Sequence, residues 1–276
     1  MDGGRRIDGA SSFTLALIPV AVVINIVIGQ LASGTPVYLD SIGTVLVGAL
    51  LGPWWGAFTG LISNVIWTLT GNPVPIYFSY VAAAIGLIAG FAGRFGVFHR
   101  PSPRWLSTTV GGVFFFALAL FLMSFLNSTV APDGFTVLPN AADLLARQAP
   151  LFALAIIGGA ALGYFVIKDA GYAGVAGLLT GLVAAVLSAP MAAWYFGGVT
   201  GGGTDLLVAV FRASGAGILQ SAFAQGTVSD PFDKMTSFML VWGIVQLLPR
   251  RLLLRFPTIR DSEQSREPAR ETLVSR

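Results

Sequence analysis

Between Phe13 and Phe98 the chain carries only two charged side chains, Asp40 and Arg94. No fold in water covers so long an apolar run. A soluble domain carries roughly 25% charged residues. Here 11% are charged and 55% apolar, with most of the charge in the two ends and a few short loops. The runs approach the roughly 20 apolar residues a helix needs to cross hydrocarbon. The expected class is therefore all-α: a polytopic membrane helix bundle. Two arginines in "MDGGRRIDGASSF" precede the first run, but no A-x-A-like site follows Phe13–Ala32, so a retained first helix is expected rather than a cleaved leader.

Eight segments read as membrane helices: Phe13–Ala32, Ser41–Leu51, Trp54–Thr70, Tyr77–Phe95, Trp105–Asn127, Leu151–Ile167, Tyr172–Phe196 and Asp233–Leu248. The second is short and is joined to the third by Gly52-Pro53, a pair that suits a helix end followed by a helix start. With eight crossings both termini fall on one side. That side then receives Arg5, Arg6, Arg94, Arg100, Arg104, Lys168, Arg250, Arg251, Arg255 and the arginines of the C-terminal tail. The other side receives only Arg147, Arg212 and Lys234. The positive-inside rule makes the first side cytoplasmic. The expected organisation is a cytoplasmic tail over 1–12, one transmembrane domain over 13–256, and a disordered, mixed-charge cytoplasmic tail over 257–276.

Absent residue types narrow the chemistry. The chain has no cysteine, which excludes disulfides, thiolate catalysis and cysteine zinc sites. Its single histidine, His99 in "FHRPSPRW", cannot form a histidine metal cluster. No metal, no cofactor and no enzymatic activity are expected. A net charge of +3 does not argue for nucleic acid, and none is expected as a partner.

Small residues recur at helical spacing: Ala82, Gly86 and Gly90, then Ala173, Gly177, Gly181, Ala185 and Ala189. In lipid such stripes let helix backbones approach closely. They pack either inside the bundle or against another membrane protein. On the first helix Ala21, Asn25 and Gly29 share a face, and Asn25 needs a polar partner in mid-span.

The acids Asp40, Asp205, Asp230 and Asp233 all fall at the predicted outer end. Around them lie Tyr38, Asn64, Trp67, Asn72, Tyr77, Tyr80, Trp194, Thr200 and Lys234. A polar and aromatic end to an apolar bundle suggests an outward-opening pocket. Trp and Tyr also form interfacial belts without any ligand, so each aromatic has two readings. "WYFGGVTGGGTD" reads as a flexible or closely packed loop, and Leu206–Phe223 as a segment on the outer face. In "SDPFDKMTSF", Asp230, Pro231 and Asp233 suit a helix start. Alternatively Asp233 and Lys234 face the pocket as a pair.

These residues carry a resemblance. "YLDSIGTVLVGALLGPWWGAFTGLISN", the span with "AAAIGLIAG", the late glycine-rich loop and the Asp-rich start of the last helix resemble the substrate-binding S component of energy-coupling factor (ECF) transporters. The resemblance is best over Thr14–Phe95 and extends to Tyr172–Leu248. It implies a multi-pass protein of a prokaryotic cell membrane that binds a vitamin-like micronutrient from outside. Loops after the first, third and fifth helices would close the site. The partners implied are membrane lipid, a transmembrane T component and two cytosolic ATP-binding subunits, docked through small-residue faces. Ala16, Ala21, Gly86, Gly90, Gly177 and Gly181 are the docking candidates. Members of that family commonly have six helices, so Trp105–Asn127 and Leu151–Ile167 would be two extra segments on a core of about six. An ion-coupled secondary carrier or a polytopic membrane sensor is the alternative. A carrier typically keeps acids at mid-membrane, whereas these acids read as clustered at one end.

Overall fold

The computed structural model describes residues 16–35, 37–127, 129–130, 136–137, 139, 141–213 and 215–264. The expected tail 1–12 and the last twelve positions of the expected disordered tail lie outside the described residues. In chain order the helices are α1 (Leu17–Ala32), α2 (Ile42–Leu51), α3 (Pro53–Leu69), α4 (Ser79–Arg94) and α5 (Arg104–Leu126). Then come α6 (Ala141–Arg147), α7 (Ala149–Phe165), α8 (Gly171–Pro190), α9 (Asp205–Ala213), α10 (Ile218–Leu247), α11 (Arg250–Leu253) and α12 (Pro257–Gln264). A 3-10 turn, Pro75–Phe78, leads into α4, and a π-helical turn, Met191–Tyr195, extends α8. Among the described residues the only strands are the two-residue pair β1 (Thr129–Val130) and β2 (Thr136–Val137). Three helical stretches are long and apolar enough to cross a membrane: Pro75–Arg94, Arg104–Ser124 and Gly171–Tyr195. The outward face of α1 is itself apolar, with Val20, Val23, Val27 and Leu31 exposed at helical spacing. This is the architecture of a helical membrane protein.

The centre of the fold is α2, whose ten residues are all buried. At 1.5 Å per residue it is about 15 Å long, half of a roughly 30 Å hydrocarbon core. A helix that ends inside a bundle leaves backbone N–H and C=O groups without partners. Both ends of α2 are satisfied by side chains from far away in sequence. At its start the Asn25 side-chain oxygen accepts the N–H groups of Gly43 (2.7 Å) and Thr44 (3.3 Å). The Asn25 amide nitrogen donates to Thr44 Oγ1 (2.8 Å) and Ser63 Oγ (3.0 Å). At the other end Thr258 Oγ1 donates to the carbonyls of Ala49 (2.6 Å) and Leu50 (2.8 Å). Asn25 thus finds its mid-span partner within the chain. The Gly52-Pro53 hairpin also forms as read. Gly52 takes φ +102°, a conformation that costs glycine little, and Pro53 opens α3.

Because Asn25 sits midway along α1, the start of α2 lies roughly 10 Å below the end of α1. The segment after Ala32 therefore descends into the bundle without helical structure. At such depth irregular backbone is tolerated only where it is buried in protein or lines a cavity.

The small-residue stripes are filled from within. A Cβ on Gly86 would strike the backbone of Gly56 and Ala57, and one on Gly90 would strike Gly52 and Pro53. Gly177 faces the backbone of Lys234 and Met235, and Gly181 that of Asp230 and Pro231. Ala21 is fully buried, with its backbone against Gly43. The docking expectation for Ala21, Gly86, Gly90, Gly177 and Gly181 is therefore corrected: these residues seat α2, α3, α4, α8 and α10 on one another. Of the docking candidates only Ala16 is exposed. The two extra segments, α5 and α7, pair chiefly with each other, through Gly111 against Gly159 and Gly163 against Ser107.

Two boundaries differ from the sequence reading. The last long helix begins at Ile218 rather than Asp233, and Pro231 lies inside it. Asp230 and Pro231 carry the marks of a helix start, but here the missing proline N–H sits opposite Gly181, where α8 and α10 pack at close range. Leu206–Phe223 accordingly splits between α9 and the start of α10. The chain is also ordered past 256: Thr258 and Ile259 are buried, and α12 packs on α2 and α4.

Replacing Asn25 with leucine is expected to remove about 2–4 kcal/mol of stability, since each buried unpaired N–H costs about 1–3 kcal/mol. Thermal unfolding in neutral detergent checks this. Gly86→Leu and Gly181→Leu are expected to abolish the folded state, seen as loss of the monodisperse peak in size exclusion.

Candidate functional site

One end of the bundle holds a cavity of about 170 Å³. By the space one water needs, that is room for on the order of ten waters, far more than a packing defect. Its walls come from the ends of α1, α3 and α8, the start of α4, the first half of α10, and the segments between them. Its floor is Asp40 and Ser41, just before α2. The shortness of α2 is what leaves the space: the other helices continue upward and α2 does not.

The structure brings together Tyr38, Asp40, Asn64, Trp67, Asn72, Thr200, Asp205, Asp230 and Lys234, all of which line this cavity. Asp233 stands behind them, with no exposed surface. It accepts Leu39 N–H at 2.8 Å and pairs closely with Lys234 Nζ. Lys234 Nζ also donates to Ser41 Oγ (3.0 Å) and reaches Asp40 Oδ1 (3.5 Å). All three donors of the ammonium therefore have partners, as a buried charge requires. The same contacts hold the descending segment: Leu39 has φ +50°, the left-handed region that side chains with a Cβ disfavour. Its N–H bond to Asp233 anchors it there.

The reading of Asp230, Pro231 and Asp233 as a helix cap is corrected. Asp230, Asp233 and Lys234 lie near the middle of the 30-residue α10 and are buried. Burial at mid-bundle and direct pairing support the alternative, Asp233 with Lys234 as a pair, with Lys234 alone of the two facing the cavity.

Tyr77, Tyr80 and Trp194 do not line the cavity. Tyr77 and Tyr195 share a hydrogen bond of 2.7 Å and pack ring on ring at 4.4 Å. The Tyr80 hydroxyl donates to the Leu187 carbonyl at 2.8 Å. Trp194 is 74% exposed and points away from the bundle. These aromatics tie α4 to the end of α8 or face outward, as belt residues do. The sequence reading overlooked Ser33, Thr35, Phe78 and Ser188, which also line the cavity. Their one signal was position, each falling at the same end of its segment as the recognised residues.

The glycine-rich loop forms the roof. Gly203 N–H donates to the Ser33 carbonyl at 3.1 Å, and a Cβ there would strike Thr35. The hydroxyls of Tyr38 and Thr204 lie 2.6 Å apart. Asp205 holds the loop on itself, accepting Thr200 Oγ1 (2.8 Å) and Gly201 N–H (2.7 Å). Asn64 lines the wall and donates to the Pro75 carbonyl at 2.9 Å.

No protein-family model, no curated protein and no solved structure matches the chain.

Lys234→Met would leave Asp233 and Asp40 as buried or half-buried charges without their cation. Breaking such a pair costs about 3–5 kcal/mol. The double variant Lys234→Met/Asp233→Asn is expected to recover part of that loss. The two melting temperatures, compared with the parent, test the pairing.

Proposed function

We propose that the chain is the substrate-capture (S) subunit of an ECF-type importer, a multi-pass protein of a prokaryotic cell membrane. It takes a vitamin-like molecule from outside and delivers it with a T component and two cytosolic ATP-binding subunits. The observation that carries this reading is the cavity itself. It is roofed by the 197–205 loop, walled by apolar helix ends, and floored by Asp40 and Ser41 at the head of α2, which is packed protein along its whole length. A site of that form suits holding a molecule rather than conducting one.

The finer topology belongs to the same reading. The tight-loop end of the bundle carries Arg94, Arg100, Arg104, Lys168, Arg250 and Arg251. The positive-inside rule assigns that end to the cytoplasm and the cavity to the outside. Eight segments then alternate across the bilayer with both termini inside. The second crossing is made jointly by the descending segment and α2. The docking face for the T component is not among the stripes buried inside the bundle. It lies on outward surfaces such as that of α1.

A specific observation favours a second reading, an ion-coupled carrier. Asp230, Asp233 and Lys234 lie at mid-helix rather than at the mouth, where carriers keep coupling residues.

Two measurements decide. The purified full chain in neutral detergent is expected to retain a small molecule without ATP, identified by mass spectrometry of what heat releases. In proteoliposomes the chain alone is expected to accumulate none of that compound under a sodium or proton gradient. Uptake driven by either gradient alone would establish the carrier reading instead.

A further inference from the structure

We infer that the cavity takes a small organic cation, a protonated amine or amidine-type group held at Asp230, on a flat apolar body lying against Trp67 and Phe78. This rests on the capture reading.

Asp230 is 6% exposed and lines the cavity. Among the described residues its carboxylate accepts one hydrogen bond, from Ser229 Oγ to Oδ1 at 3.2 Å. It makes no ion pair among the described residues. Among the described residues the one cation lining the cavity, Lys234, is committed to Asp233, Asp40 and Ser41. Asp205 differs from Asp230: both of its oxygens are taken by Thr200 and Gly201. Asp230 Oδ2 and Asp40 Oδ2 are thus the lining carboxylate oxygens without a hydrogen bond among the described residues, and of these two carboxylates Asp230 is the one with no ion pair. A carboxylate held this deep without a cation is costly, and a bound cation offsets that cost.

The neighbouring groups agree. The Gln225 amide nitrogen donates to Ser229 Oγ at 2.7 Å, so the chain Gln225–Ser229–Asp230 directs hydrogen bonds toward the carboxylate. The hydroxyls of Ser33, Thr35 and Thr200 all donate to oxygens of the protein. Asp40, Asp205 and Asp230 stand in the lining against Lys234 alone, so the charge there is unbalanced toward the negative, and a ligand that supplies N–H donors and positive charge fits it. The same cavity has apolar lining as well: Trp67, Phe78, Val81, Ile85 and Val208. A ligand carboxylate or phosphate would meet Asp40, Asp205 and Asp230 with no free cation to receive it.

The test uses three probes that share an indole ring: tryptamine (cation), tryptophol (neutral) and indole-3-propionate (anion). Their affinities for the full chain are measured by thermal shift in neutral detergent at pH 7, beside Asp230→Asn. A hydrogen bond to a charged group contributes about 1.5–3 kcal/mol, so tryptamine is expected to bind roughly tenfold to a hundredfold tighter than tryptophol. Asp230→Asn is expected to erase that preference, and the compound released from the parent is expected to be cationic. Equal binding of the three probes, preference for the anion, or a cation preference unchanged in Asp230→Asn overturns the assignment while leaving capture intact. If folded protein binds no probe and releases nothing, both proposals fail. Should Asp230→Asn not fold, the ranking on the parent chain decides alone.

Discussion

A helix that stops inside an apolar bundle must have its backbone ends satisfied by something other than water. That constraint organises this protein. α2 is about half a membrane long and buried on every side. Asn25 receives its first N–H groups, and Thr258 donates to its last carbonyls. These two side chains lie more than 200 positions apart, so the sealing of one short helix draws the first and last of the described helices into one packed body. The space above α2 is the cavity.

The glycine stripes and the buried ion group depend on each other. Gly177 and Gly181 let α8 approach the α10 backbone at the segment from Asp230 to Met235. That brings Lys234 and Asp233 deep into the bundle, where they hold Asp40, Ser41 and the left-handed Leu39. Without the small residues α10 would stand further off, and the descending segment would lose its anchor. Packing and polar satisfaction are here one arrangement.

Much of this was legible in the sequence. Seven of the apolar segments fall within a few residues of the observed helices, because length and lack of charge dominate that signal. The Gly52-Pro53 turn was readable from its chemistry. Asn25 was recognisable as needing a partner, although nothing local says that the partner is a helix end. The last helix was misread because Asp230, Pro231 and Asp233 imitate a cap, and only packing against Gly181 explains a proline there. Thr258 was hidden in a mixed-charge tail, since a single capping hydroxyl has no compositional signature. For the aromatics, residue type could not separate Trp67, which faces the cavity, from Trp194, which faces outward. That distinction is one of helix rotation.

The most direct test follows the two amides that Asn25 accepts. In hydrogen–deuterium exchange on the full chain in lipid nanodiscs, Gly43 and Thr44 are expected to exchange as slowly as the buried middle of α4 and α8, although they lie directly beneath the cavity. Exchange of these amides as fast as that of the short, partly exposed α9 would mean that α2 is not sealed, and the floor on which the site is built would be lost.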